Sequence, residues 1–568
     1  MVEIRRQLRS NASVFALGIV LAGVCAVHTA EARVLPSAKA RAPKLEAPRA
    51  DNLPSDEELE RQGAKIGEIR FDARELFDEA SADEDTSLTR LGNRLHITTR
   101  QSTIEDQLLF KSGDLYRPGL LEESARILRD TRYLRDALVR PVSFHDGVVD
   151  VEVTTQDVWT FNPGISFGRK GGANSSGFEL EELNFLGTGT QLGVGFKSDV
   201  DRDSKMIHYR DRQLASSWWD LDAGYSDNSD GRMAQFSLDH PFYCLGSRWA
   251  AGVSLLDDQR TDSRYDLGEV VDQFATHENY SSIYWGRSGG LRDGWARRLS
   301  FGLTYEDHAF DAVPGAAAAP ALLPADRTLV YPWIGGEWVE DAFYTARNRN
   351  QIEKTEDYSL GWRARAQLGY ATESLGSDRD AVMLAATVSK GLELSERQSL
   401  SFGVDTRGRL EDGEVAGGLL TADARYYFRQ SPHRLLFLNL SATAGANLDA
   451  DQQVLSGGDN GLRGYPLRYQ SGEGRWLFTA EQRLFTNWYP FQLFNVGGAV
   501  FYDMGASFGR DPLGSPSQGL LRDVGFGLRL GTSRSALGNV LHLDVAYPLD
   551  GDSSVRKVQF LVETKKSF

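Results

Sequence analysis

From Thr160 onward the chain is built of runs of about ten residues that alternate apolar and polar side chains, separated by turns of Gly, Asp, Asn and Ser. A period of two sends successive side chains to opposite faces of a strand, so each run carries one apolar and one polar face. In one run Tyr358, Leu360, Trp362, Ala364, Ala366, Leu368 and Tyr370 share a face, while Ser359, Gly361, Arg363, Arg365, Gln367 and Gly369 share the other. A soluble sandwich would not place arginines on its inner face or aromatics at both ends of its apolar face. The pattern predicts an all-β transmembrane antiparallel barrel, the closed form that leaves no strand edge unpaired in lipid. Roughly twenty runs can be counted, and single-chain bacterial barrels hold an even number of strands.

The opening residues predict export. Arg5, Arg6 and Arg9 precede a short apolar stretch from Val14 to Val27, and Ala30-Glu31-Ala32 offers small-x-small cleavage. Residues 1–32 are therefore expected to be a signal peptide. Of the two cysteines, Cys25 leaves with it and Cys244 remains, so no internal disulfide is expected. No later stretch offers ~18 consecutive apolar residues, so no membrane helix is expected. A formal net charge of −16 argues against nucleic-acid binding, which needs basic patches.

Residues 33–64, rich in Ala, Pro and charge, predict a flexible periplasmic linker. Residues 65–157 predict a small α/β domain. Ile66–Phe71 alternates as a strand does, and Asp78–Asp85 is an acidic insertion. Ser102-Thr103-Ile104-Glu105 has the form of a capping box, with Gly113 ending that helix. Pro118 opens a second helix carrying Leu121, Ile127 and Leu128 on one side. Two strands follow, joined at His145-Asp146-Gly147, a strong hairpin signal.

Within the predicted barrel, 158–568, one stretch breaks the alternation: Gly457-Gly458-Asp459-Asn460-Gly461-Leu462-Arg463-Gly464-Tyr465. It is too rich in Gly for a helix or a central strand, and its glycines allow tight folding while the Arg463 guanidinium reaches outward. The runs that follow have the inward parity to receive it. Trp476, Phe478, Ala480 and Leu484 put Thr479, Glu481 and Arg483 on the opposite, lumenal face. Val500, Tyr502 and Met504 do the same for Phe501 and Asp503; His542 and Asp544 point inward from Val540–Tyr547. If 457–474 folds into the lumen, Arg463 can pair with Glu481 and Asp503. A solvated hairpin loop, with both acids merely hydrating the lumen, is the alternative.

The order β-α-α-β-β in 65–157 resembles a POTRA domain. Gly461-Leu462-Arg463-Gly464-Tyr465 resembles the inward-folded loop motif of the BamA/TamA outer-membrane insertase superfamily, also called bacterial surface antigens. Gly498-Ala499-Val500-Phe501-Tyr502-Asp503 resembles the strand that receives the arginine. Asn184-Phe185-Leu186-Gly187-Thr188-Gly189 and Asp544-Val545-Ala546-Tyr547-Pro548-Leu549 resemble an early turn and the penultimate strand. Val558, Phe560, Val562 and Phe568 resemble a C-terminal assembly signal. The resemblance implies about sixteen strands, with a seam between a first strand near Thr160–Gly168 and a last near Lys557–Phe568. It also implies a role in inserting or translocating polypeptides, with outer-membrane lipid, unfolded or secreted polypeptide and periplasmic chaperones or accessory proteins as partners, and with no cofactor. Room for a single POTRA domain, where members of the family carry more, departs from that pattern.

Other motifs carry less. Gly164-Ile165-Ser166-Phe167-Gly168 fits a nucleophile elbow but lies inside an alternating strand, not at a strand–turn–helix junction. Asp199-Val200-Asp201-Arg202-Asp203 imitates a calcium loop, yet Ser204 and Arg210 stand where Gly and Glu are needed. The nine histidines lack metal spacing. The rivals to an insertase are a passive channel or structural barrel, and a barrel hydrolase, for which no Ser/His/acid set is found. No enzymatic activity is expected.

Overall fold

The computed structural model describes residues 53–77, 87–313, 323–352, 354–490, 493–509, 518–532, 534–535 and 540–565. The expected signal peptide, the acidic insertion and Phe568 lie outside these residues.

The N-terminal module is a three-stranded sheet with Val148–Asp157 at its centre. That strand runs parallel to Lys65–Arg74 and antiparallel to Leu134–His145. Asp146 and Gly147 turn the hairpin with φ of 49° and 78°, as a two-residue turn demands. The helix Pro118–Asp130 lays Leu121, Ala125 and Leu128 over Val149, Val151 and Val153. Ile127 lies off that face and is only partly buried.

Two expectations need correction here. The supposed linker is folded from 53 onward: Asp56–Arg61 is a helix, Ser55 Oγ accepts from the Glu58 N–H at 3.2 Å, and Leu59 and Ala64 join the core. A single apolar residue in a charged helix gives no periodic signal. The capping box does not form either. Arg100 is the N-cap of Gln101–Glu105, so Ser102 sits inside the helix, and Gly113 belongs to a later turn where its N–H bonds Ile66 O at 2.8 Å.

Twenty antiparallel strands then close into a barrel, from Phe161–Lys170 to Gln559–Lys565. The figure of about sixteen is overturned, and the upper count from the alternation is the observed one. The Tyr358–Tyr370 run is not one strand. Glu356–Ser359 pairs with Phe343–Ala346 outside the barrel, and the barrel strand begins at Arg363. Between them the Leu360 and Gly361 N–H groups both donate to Ala342 O, at 2.7 and 3.0 Å, which bends the chain. Alternation marks any extended segment between two environments and does not reveal which ladder it joins.

The outer wall is apolar. Val500, Phe526 and Phe560 are 57, 62 and 59 % exposed, and Ile283, Trp285, Leu368 and Tyr370 stand out with them. So continuous an apolar belt is stable only against hydrocarbon. The wall is uneven. Glu269–Arg292 has 24 residues and its two neighbours 18 each, whereas the last strand has 7. Among the described residues, the last strand pairs with Val540–Pro548 along its length but is bridged to the first at one residue pair, Val562–Arg169. Lys170 Nζ adds an ion pair to Glu563 at 2.6 Å.

Leu59 is fully buried, and burying a leucine contributes ~1.5–3 kcal/mol. A fragment spanning residues 53–157 should therefore unfold at higher urea than one spanning 65–157. Equal midpoints by circular dichroism would return residues 53–64 to linker.

Candidate functional site

The chain leaves the barrel wall after Arg434–Ala446, folds into the lumen, and rejoins it at Gly474–Phe485. Inside this loop Val454–Ser456 pairs with Gln470–Gly472, and the glycine-rich segment forms the bend between them. Gly461 has φ 121°, a conformation other residues avoid. A Cβ on Gly464 would lie 2.7 Å from the Asp523 Cβ and 3.1 Å from Pro548 N, so only glycine lets the loop come this close to the wall. Leu462, Tyr465 and Tyr469 pack with Leu521. The Tyr465 hydroxyl donates to Arg522 O at 2.7 Å and accepts from the Arg522 and Asp550 N–H groups at 3.0 and 3.2 Å.

This packing delivers Arg463 to the inner wall. Its Nε and Nη2 donate to the two oxygens of Asp503 at 2.7 and 3.0 Å, and Nη1 donates to Glu481 Oε2 at 2.9 Å. The guanidinium carbon stands 3.3 Å from the centroid of the Phe501 ring, a stacking that Lys could not reproduce. Arg463 is 6 % exposed, Glu481 4 % and Asp503 0 %, so water does little of the neutralising. Burial alone would lower the pKa of Arg463. The charge and hydrogen bonds of Asp503, with Glu481 and Asp544 behind them, outweigh it and raise the pKa above its ordinary value.

The site is larger than the triad expected from sequence. Arg483 Nε donates to Glu481 Oε1 at 2.9 Å, and Arg529 is paired with Asp544, both fully sequestered. Asp523 faces Asp503 across adjacent strands; its Oδ2 accepts from the Gly464 N–H at 3.0 Å and its Oδ1 has no protein partner among the described residues. Asp523 and Arg529 were missed, although the parity of Leu521–Thr532 places both inward. Asp503 and Glu481 were placed by the same rule. Gly461, Leu462, Gly464 and Tyr465 hold the loop, as described above.

The rest of the loop is tied to the wall by residues with no periodic signal. Asp449 takes Arg409 at 2.7 and 2.6 Å, and Asp451 takes Arg327 at 3.0 Å on both oxygens. Ala450 O accepts from Arg264 at 3.1 and 2.6 Å. Arg468 makes a bidentate pair with Asp201 at 2.7 and 2.6 Å, so the imitation calcium loop is an anchor for the inward loop. Of the expected terminal signal, Val558 and Phe560 are exposed on the outer face and Val562 sits at the seam.

Removing one partner of a buried pair strands the other, at a cost of about 3–5 kcal/mol. Arg463→Ala and Asp503→Ala should each destabilise the barrel on that scale, and the double variant should cost less than the two singles together. Urea-dependent loss of heat-modifiable gel mobility measures all three. Strictly additive costs would mean the two residues act independently.

No protein-family model and no curated protein matches the chain. Several solved structures are similar in fold. CdiB from Acinetobacter baumannii shares 13% identity at a TM-score of 0.43, over 89% of this chain and 74% of that one. CdiB from Escherichia coli shares 12% at 0.45, over 89% and 77%. BamA from Haemophilus ducreyi lacking POTRA domains 1–3 shares 13% at 0.38, over 89% and 85%.

Proposed function

We propose that this chain is an outer-membrane barrel that inserts or translocates polypeptides, with the N-terminal module as a POTRA-like substrate-handling domain in the periplasm. The observation that carries the reading is the seam. Among the described residues, ladders elsewhere in the barrel run along their strands, but the first and last strands share one bridge, Val562–Arg169, and the Lys170–Glu563 ion pair. A strand edge this poorly paired is a template for another extended chain, which could add by main-chain hydrogen bonds.

The inward loop supports the same reading, because it braces the seam from within. A Cβ on Gly171, in the turn after the first strand, would lie 2.4 Å from Leu467 N and so would have to displace the loop. The Arg463 cluster fixes the loop to the strands on the other side of the opening. Held this way, the seam can close again after it opens. An occupied lumen weighs against a passive channel. The apolar belt, the export signal expected at residues 1–32 and the resemblance of Gly461–Tyr465 to the insertase loop motif all point to the outer membrane. The reading assigns no catalytic residue and no cofactor; its partners are membrane lipid, polypeptide substrate and periplasmic accessory proteins.

Facing residues in an antiparallel pair stand ~4.5–5.5 Å apart at Cα, within disulfide range. In a Cys244→Ser background, the pair Arg169→Cys and Val562→Cys should therefore staple the seam on oxidation. The expected result is loss of insertion of an unfolded barrel polypeptide into liposomes, restored by reductant. Undiminished insertion by the stapled barrel would overturn the seam as the route.

A further inference from the structure

We propose that the hairpin Phe343–Ser359 is a displaceable plug of the periplasmic mouth, and that the N-terminal module holds it shut through Arg129. The inference rests on the barrel spanning a bilayer and not on the polypeptide assigned above, so either can fail without the other.

The hairpin leaves the wall between Arg327–Glu340 and Arg363–Ala371. Its bend does not stay near those strands. Ile352, 3 % exposed, packs with Tyr427, Leu435, Phe485, Ala499 and Val540. The furthest of these residues, Val540, lies nine places along the ring of twenty strands from Arg327–Glu340, nearly opposite the hairpin's root. A segment rooted in one wall and seated on the other has to cross the lumen. Glu353, beside Ile352, lies outside the described residues.

The seat is polar and reversible in kind. Arg349 is sandwiched between Tyr358 of the hairpin and Tyr427 of the wall, with ring centroids at 4.0 and 3.8 Å. Arg429 Nη2 donates to the carbonyls of Arg347 and Asn348 at 2.8 and 2.6 Å, and Arg483 Nη1 donates to that of Arg349 at 2.6 Å. Beside Ile352 these holds are cation–π contacts, hydrogen bonds to main-chain carbonyls and the Tyr427 hydroxyl donating to Asn350 Oδ1 at 3.2 Å, all of which water can replace when the hairpin leaves.

The other side of the hairpin belongs to the module. Arg129, on the helix Pro118–Asp130, forms a bidentate pair with Asp357, both bonds at 2.7 Å. Thr355 Oγ1 donates to Asp136 Oδ2 at 2.8 Å, and the Arg126 guanidinium lies 3.9 Å from the centroid of the Phe343 ring. Three residues of one helix and the strand after it thus grip both arms of the hairpin. A bidentate guanidinium–carboxylate pair transmits orientation as well as attraction, so tilting the module pulls on Asp357 directly.

The test uses the full chain in proteoliposomes with the module facing outward, in a Cys244→Ser background. Ser441→Cys, on the lumen-facing parity of Arg434–Ala446 and further from the periplasm than Leu435, reports access from below. A membrane-impermeant polyethylene-glycol maleimide should label it slowly while the hairpin is seated, and at the rate of a free thiol when Phe343–Ser359 is replaced by a short Gly-Ser linker. Asp357→Asn, which leaves the module's own contacts intact, should raise the rate roughly tenfold, as expected for loss of one charge-assisted pair. The exchange Arg129→Asp with Asp357→Arg should restore slow labelling. If the linker variant does not fold, Ile352→Ser and Arg349→Ala take its place with the same expected acceleration. Labelling at one rate with the hairpin seated, weakened or removed would overturn the plug. Acceleration by the linker variant but not by Asp357→Asn would overturn the role of Arg129.

Discussion

A guanidinium carried into the interior of a membrane barrel has to be neutralised where it stands, and that requirement sets the arrangement around Arg463. Asp503, Glu481 and Asp544 come from three different strands, and each faces the lumen because its apolar neighbours face lipid. The loop must therefore be long enough to reach them, tight enough at Gly461 and Gly464 to lie against the wall, and tied down along the way by Asp449, Asp451 and Arg468. Each of those ties is itself an acid–base pair between loop and wall. The charges are costly to bury singly, so loss of one partner weakens the hold of the whole set on the loop.

The same set of charges joins parts of the molecule far apart in sequence. Glu481 accepts from Arg463 of the loop and from Arg483 of the wall, and Arg483 in turn holds the Arg349 carbonyl of the Phe343–Ser359 hairpin. From there Asp357 leads to Arg129 on the module. Hydrogen bonds thus tie the loop to the bend of the hairpin, and the hairpin's second arm is tied in turn to the N-terminal helix. The two links share only the hairpin, so displacement of the hairpin alters the partners at both ends.

Much of this was legible in the residues, for a definite reason. Wherever a strand has lipid on one side and lumen on the other, parity decides which side chains meet, and Glu481 and Asp503 could be assigned that way without knowing the strand count. The same rule, carried to Leu521–Thr532, would have yielded Asp523 and Arg529. What parity cannot give is the ladder to which an alternating segment belongs, and so Tyr358 was joined to a barrel strand when it forms part of the hairpin. Asp449 and Asp451 sit in a loop, Arg129 on a helix surface and Asp357 in a four-residue strand outside the barrel, where a charged residue looks the same whether it is solvated or paired. The helix around Leu59 was hidden because one buried residue in a charged turn leaves no period to detect.

The uneven wall makes the barrel mechanically lopsided. Strands of 18, 24 and 18 residues stand side by side as one stiff panel, each cross-linked to the next by a long ladder. On the other side of the ring, the described part of the final strand is bridged to the first strand at a single residue pair. A closed ring under thermal agitation deforms where its bending resistance is lowest, so fluctuations of the whole wall accumulate at that joint. Lengthening the tall panel would leave the joint as compliant as before, whereas one or two further bridges beside Val562 would stiffen the entire circumference.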